Sequence, residues 1–182
     1  MTPDERKTVF KLVNLPGQDN SPEAIVRRKE EFVREFRPSV DDRRKLSQEL
    51  LEEAYAERDP IDVECALTVG FSFGLSAACL DVLMQLADAD WHHSHEDVVS
   101  ALDELQDKKA VDVLYRVALK RHEYLAFDKA RALAVKAIWA LGKISDASAD
   151  EKLRLLAQSN EEIVKHGAIK QLERRGALQG KI

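Results

Sequence analysis

A small residue followed by an aliphatic residue recurs at near-constant intervals through the last two thirds of the chain. The pairs are Ala66-Leu67, Ala101-Leu102, Ala137-Ile138 and Ala168-Ile169. Successive pairs are 35, 36 and 31 residues apart. Recurrence at this period predicts a repeated structural unit.

A second apolar pattern falls between these pairs. Its segments are LDVLMQLA from Leu80, VDVLYRVA from Val111 and DEKLRLLA from Asp150. Apolar residues spaced three and four apart in each segment predict an amphipathic helix. Two interleaved helical patterns of similar period predict a helix-turn-helix unit. Such a unit cannot bury its apolar face alone and stacks on its neighbours.

The composition agrees with a helical protein that has a large solvated surface. Of 182 residues, 34% are charged, and there are only 7 glycines and 5 prolines. The net charge of −5 argues against binding to a phosphate backbone, which needs a basic stripe. Neither a secretory leader nor a membrane span is predicted. Cys65 and Cys79 lie in apolar surroundings and are predicted to be buried reduced thiols, so we expect a cytoplasmic protein.

The first part of the chain carries helix signals without the alanine-leucine repeat. Ser21 and Pro22 mark the start of one predicted helix. A second is predicted to end near Glu57, before the boundary at Asp59-Pro60. We therefore predict N-terminal helices in residues 1–60, as a cap or as diverged repeats. Repeats follow in 61–175 and a C-terminal tail in 176–182.

The stretch ALAVKAIWALGKISDASADEKLRLLA, residues 132–157, resembles the HEAT-like repeats of small bacterial proteins grouped with phycobilin-lyase repeats. Weaker echoes extend the resemblance over about residues 61–175. It implies an all-α fold, an α-solenoid of helical hairpins. It also implies a non-enzymatic protein-binding module without a cofactor. Some small proteins of this kind are immunity proteins. The most specific function that the resemblance implies is therefore neutralisation of a partner toxin, such as a basic toxin domain.

The stretch DWHHSHED, residues 90–97, concentrates three histidines at a joint between two predicted helices. Ser94 is expected to cap the following helix through the amide of Asp97. Trp91 is expected to pack over the joint. We predict a solvent-facing joint in which Trp91, His92 and His93 contact a partner, with imidazoles that titrate near pH 6.5.

Metal binding is the alternative for this stretch. His92, His93 and His95 could supply imidazoles, and Glu96 or Asp90 an oxygen ligand. Metal ligands must converge, however, and adjacent histidines point apart in most backbone conformations. No HExxH pattern is present. We therefore predict no metal site and no catalytic role here.

Carboxylates recur on the second helix of each predicted unit. Asp81, Asp112 and Glu151 occupy aligned positions, and Asp88 follows Asp81 by two turns. If these helices line one face, the carboxylates form a column that can receive a basic partner. Arg116, on the same helix as Asp112, belongs to this predicted surface. The alternative interpretation is an ordinary solvated face.

The segment RHEYLAFDKAR, residues 121–131, lengthens one link between helices. Longer links in repeat arrays often carry contacts. Tyr124, Phe127 and Asp128 are the predicted partner contacts in this link. Trp139, on the next helix, is either an interface anchor or a packing residue, and packing is favoured.

Two other functions stay open as alternatives. Some HEAT-like proteins resemble alkylpurine DNA glycosylases, and such an enzyme would use Trp139 with Asp128 or Asp112. The chain lacks the basic groove that this activity needs. A chaperone of the bilin-lyase type is the other alternative, although no ligand cage is visible. No hydrolase, P-loop, Rossmann or CxxC motif occurs in the sequence.

Overall fold

The computed structural model describes residues 1–179, and for 177–179 it describes the helical backbone alone. Within these residues every regular element is an α-helix or a short 3₁₀ turn, and no strand occurs. The predicted all-α class is therefore confirmed. None of the helices in this range combines the length and apolar character that crossing a bilayer requires.

The chain divides into two compact units, Met1–Val82 and Leu83 onward. The helices of the first unit are α1 (Pro3–Phe10), α2 (Pro22–Glu35), α3 (Arg43–Glu57) and α4 (Pro60–Phe73). The unit boundary falls inside α5 (Leu80–Asp88). The second unit continues with α6 (His95–Leu105), α7 (Val111–Leu119), α8 (Ala132–Lys143), α9 (Ala147–Leu156) and α10 (Glu162–Gln179).

The helix starts follow the signals in the sequence. The Ser21 hydroxyl accepts the amide of Ala24 at the start of α2, as predicted. Asp42 begins α3 and Asp59 begins α4 through side-chain oxygens that accept main-chain amides. α10 runs to Gln179, beyond the start of the predicted tail, and residues 180–182 of that tail lie outside the described residues.

In the first unit, α4 packs against α3 and α1. α4 belongs to this unit although the repeat pattern assigns it to the segment 61–175. The close approach of α3 and α4 requires a glycine at Gly70. A Cβ there would lie 2.6 Å from Leu75 Cδ2 and 2.8 Å from Ser47 Oγ. Cys65 and Cys79 are buried free thiols, as predicted, and burial raises the pKa of Cys65 to about 11.

In the second unit, alternate helices pack against each other. α6 contacts α8, α8 contacts α10, and α7 contacts both α8 and α9. The aligned residues Ala101, Ala137 and Ala168 are all fully buried, on α6, α8 and α10. Their small side chains permit the close approach of these helices. The repeat pattern in the sequence thus identified the buried faces of this unit correctly.

Replacing Gly70 with alanine is expected to lower the free energy of unfolding by about 1–2 kcal/mol, because the new methyl group overlaps the Leu75 and Ser47 side chains. Gly176→Ala is the matched control, since a Cβ there meets nothing within 4 Å. Urea unfolding of both variants tests this. Equal stability of Gly70→Ala and wild type would contradict the tight contact between α3 and α4.

Candidate functional site

The candidate site lies in the second unit, where the turn before α6 meets the link between α7 and α8. The turn supplies His92, His93 and His95, and the link supplies His122 and Tyr124. Three of these imidazoles are packed face to face. The ring centres of His92 and His95 are 4.2 Å apart, and those of His95 and His122 are 3.8 Å apart. We call His92, His95 and His122 the histidine stack.

Hydrogen bonds fix the protonation of His92. Its Nε2 lies 2.8 Å from the carbonyl oxygen of Leu86, so Nε2 carries the proton and donates. Its Nδ1 accepts the main-chain N–H of Ser94 at 3.1 Å. A neutral imidazole has one donor and one acceptor, and both are used. The ring is fully buried and therefore presents no surface to a partner, which contradicts its predicted role.

His95 is held in the same way. Its Nε2 donates to the carbonyl oxygen of Ala89 at 2.7 Å, so its Nδ1 accepts from the Tyr124 hydroxyl at 2.9 Å. The ring is fully buried. Burial, which penalises the charged form, lowers the pKa of His95 to about 4 and lowers the pKa of His92. The prediction of a solvent-facing joint that titrates near pH 6.5 is therefore wrong for these two residues.

His122 completes the stack under different constraints. Its pKa is also lowered by burial, with Lys120 adding to the effect. Its Nδ1 lies 3.8 Å from Asp90, whose carboxylate pairs with Lys120 at 2.5 Å. Its Nε2 is buried and has no hydrogen-bond partner within the described structure. An unpaired buried nitrogen costs about 1–3 kcal/mol, so His122 is the least satisfied member of the stack.

The cap predicted at Ser94 is absent. The Ser94 side chain makes no cap hydrogen bond. At the start of α6, the main-chain carbonyl oxygen of Ser94 accepts the amide of Asp97 at 3.1 Å. Ser94 has φ −91° and ψ 25°, outside the extended conformation that a capping residue usually adopts. Trp91 is half-buried and packs edge-on against His92, with ring centres 5.1 Å apart, which agrees with packing over the joint.

His93 points away from the stack and is exposed. Its ring lies 4.3 Å from the ring of Tyr124. Tyr124 thus contacts His93 through its ring and His95 through its hydroxyl, which attaches the link to the turn before α6. Adjacent histidines do point apart here, as expected from the sequence.

The link between α7 and α8, residues 120–131, is fixed at its far end by Arg131. This residue has the left-handed backbone conformation at φ 54°, which costs an ordinary residue about 1 kcal/mol or more. The guanidinium offsets that cost, because it donates to the carbonyl oxygens of Lys120 at 3.0 Å and Ala118 at 3.2 Å. It also pairs with Glu161 at 2.6 Å. These hydrogen bonds satisfy carbonyl groups at the end of α7 that have no partner within the helix.

Asp128 and Phe127, both predicted partner contacts, have different roles in this link. The Asp128 carboxylate accepts the amides of Ala130 at 2.9 Å and Ala132 at 2.6 Å, so it starts α8. Phe127 is 81% exposed, the highest value among the large hydrophobic residues described as exposed.

Two cavities flank His122. The one on the α6 side has a volume of about 510 Å³ and is lined by Asp90, His93, Arg121, His122, Glu123 and Tyr124. The other has a volume of about 280 Å³ and lies between the link and the start of α8, where Arg131 and Leu133 line it. Both are open to solvent, and the side chains around them are mainly polar.

Two of the predicted acidic residues are already paired within the second unit. Asp88 on α5 pairs with Arg116 on α7 at 3.1 Å, and Asp112 on α7 pairs with Lys152 on α9 at 2.9 Å. Asp81, which belongs to the first unit, and Glu151 are exposed. The sequence pattern alone does not reveal these two pairs.

Trp139 is 37% exposed, and its ring contacts two basic side chains of α10. The ammonium of Lys170 and the guanidinium of Arg174 lie 5.8 and 5.6 Å from its ring centre. The tryptophan and Asp128, two residues that a glycosylase would use, therefore both have structural roles.

Among the described residues, no group of three histidine, cysteine or carboxylate side chains is placed to hold a metal ion.

Comparison with known proteins finds no family model, no curated protein and no solved structure that matches the chain.

His122, Lys120 and Arg131 organise the site but were not selected from the sequence. His122 is 27 positions from His95, Lys120 is 30 from Asp90 and Arg131 is 30 from Glu161, and no local pattern marks these contacts. The one available signal was the residue pattern RHEYLAFDKAR, in which a histidine and a tyrosine occur two positions apart. Only the fold shows that this histidine and this tyrosine lie beside His95 and His93.

Acidification is expected to destabilise the second unit through the histidine stack. The pKa of His95 is about 4 when folded and 6.5 when unfolded. Between these values only the unfolded chain binds the proton, so the free energy of unfolding falls as the pH is lowered. The loss from His95 is on the order of 3 kcal/mol and levels off below pH 4. His95→Gln should flatten this pH dependence in urea unfolding, and an unchanged slope would contradict the assignment.

Tyr124→Phe removes the hydroxyl that donates to His95 and leaves a buried nitrogen unpaired. The free energy of unfolding at pH 7.5 is expected to fall by about 1–3 kcal/mol. Tyr115→Phe is the matched control, because it keeps the ring that lies 5.0 Å from the Lys152 ammonium. That variant should stay within about 0.5 kcal/mol of wild type. Equal losses in both variants would show that the hydrogen bond to His95 contributes nothing specific.

Proposed function

We propose that the protein is a non-enzymatic protein-binding module whose partner contacts the link between α7 and α8, with Phe127 as the central anchor. The observation that carries this proposal is the 81% exposure of Phe127 on a link that is fixed at both sides. Tyr124 attaches the link to the turn before α6, and Arg131 attaches it to the end of α7. A rigid aromatic side chain loses little entropy on binding and commonly forms the centre of an interface.

The surroundings of Phe127 suit a protein partner. The link that carries Phe127 also borders a cavity of about 510 Å³, where exposed His93, Arg121 and Glu123 offer polar contacts. Apolar centres with a polar rim are typical of protein interfaces.

We further propose that the second unit is a short α-solenoid of HEAT-like hairpins. Its support is the packing of α6 on α8, α8 on α10 and α7 on α9. Three inter-helix ion pairs, Lys136–Glu96, Lys143–Asp103 and Lys152–Asp112, have the same sequence separation of 40 residues. A constant separation is expected when successive hairpins repeat one geometry.

The narrower proposal, neutralisation of a basic toxin domain, is supported by the net charge of −5 and the resemblance to small HEAT-like immunity proteins. Because Asp88 and Asp112 are already paired, a basic partner would be attracted by the overall charge more than by a column of free carboxylates. Its test is rescue of cell growth when the chain is co-expressed with a toxin encoded beside it.

Phe127→Ala is expected to weaken partner binding by at least about tenfold while leaving the free energy of unfolding within about 0.5 kcal/mol, because the ring is exposed in the free protein. Leu155→Ala, which removes an apolar side chain with 44% exposure on α9, is the control and should bind normally. The measurement is quantitative co-purification from the native host, followed by calorimetry with the partner. Equal recovery of the partner by both variants would refute the proposed anchor.

A further inference from the structure

A second exposed apolar surface lies in the first unit, on α2. Val26 and Val33 are 54% and 39% exposed, although valine is usually buried. Together with Lys29, Glu30 and Phe73 they line a shallow groove of about 310 Å³. We call these five residues the α2 groove.

The spacing of these residues places them on one face of α2. Val26 and Val33 are seven residues apart, two helical turns, and Lys29 and Glu30 occupy the turn between them. The neighbouring side of the helix is used inside the unit, where the buried ring of Phe32 stacks on Phe73 with ring centres 5.2 Å apart. The two valines therefore do not take part in the core of the unit.

The two charges in the groove have no ionic partner within the described part of the chain. Lys29 donates to the carbonyl oxygen of Ser72 at 2.6 Å and lies 5.7 Å from the Phe73 ring centre, but no carboxylate pairs with it. An ammonium group has three donors, so donors remain available. Glu30 is exposed and takes part in no described ion pair. Other charged residues of this unit, such as Arg37 and Glu53, are paired within it.

We propose that the α2 groove is a homodimer interface, in which α2 of one protomer packs antiparallel on α2 of a second copy about a two-fold axis between Lys29 and Glu30. That symmetry places Val26 opposite Val33 of the other copy. It also places Lys29 opposite Glu30 of the other copy. The order valine, lysine, glutamate, valine is thus complementary to itself under two-fold rotation, which a closed dimer requires.

Charge complementarity favours a second copy over an unrelated partner. Each copy brings one unpaired cation and one unpaired anion, and both are satisfied at once in the antiparallel arrangement. The apolar part of the groove is small compared with the interfaces of permanent dimers. The dimer is therefore weak and dissociates on dilution.

Sedimentation equilibrium of the full chain from about 10 µM to about 1 mM tests the proposal. Wild type is expected to shift from monomer to dimer over this range. Glu30→Lys and Lys29→Glu should each remain monomeric, because each places like charges opposite each other. An equimolar mixture of the two variants should dimerise again, since the positively charged groove of one then faces the negatively charged groove of the other.

Glu64→Lys is the control, because it makes the same charge change at an exposed position of α4 outside the groove. It should dimerise like wild type. Val33→Ser removes the apolar contact without a change of charge and should weaken the dimer about tenfold. A wild-type chain that stays monomeric up to about 1 mM overturns the proposal. Dimers that form in wild type but not in the mixture of charge variants also overturn it.

Discussion

The contact between neutral imidazoles is the interaction on which the candidate site depends. The neighbouring rings of His92, His95 and His122 lie about 4 Å apart between their centres, and burial favours their uncharged form. His92, through Leu86 and Ser94, and His95, through Ala89 and Tyr124, each make one donor and one acceptor hydrogen bond, which suits a neutral ring. Through the Tyr124 hydroxyl, the same stack sets the position of the link and of the exposed Phe127.

The position of that link has a second determinant in Arg131. A residue in the left-handed conformation is normally a glycine or asparagine, and here the cost is offset by a guanidinium that closes the end of α7. The two attachments act from opposite ends of the link. The segment between them is therefore held at both ends, which explains why the ring of Phe127 can remain exposed without packing onto the unit.

Helix content and the buried faces could be predicted from the sequence, because both follow from periodicity along a single chain. Ala101, Ala137 and Ala168 lie where the repeat alignment placed them, and the caps at Ser21 and Asp59 are local signals. The burial of His92 and His95 could not be predicted. It depends on Tyr124 and His122, some 30 residues away in sequence, and on carbonyl groups whose direction only the fold determines. The pairing of Asp112 with Lys152 is likewise a tertiary property.

Three ion pairs join α6 with α8 and α7 with α9, and in each pair the two residues are 40 positions apart in the sequence. This constant separation limits how such a protein can change length. Each acidic residue finds its counterpart one hairpin later. If recombination removed a hairpin, an acidic residue on one side of the new junction and a basic residue on the other side would lose their partners. Both would keep a partner only if the two ends of the deleted segment were at equivalent positions in successive hairpins. A change in length between α6 and α9 therefore preserves these three pairs only if it keeps each acidic residue opposite its lysine.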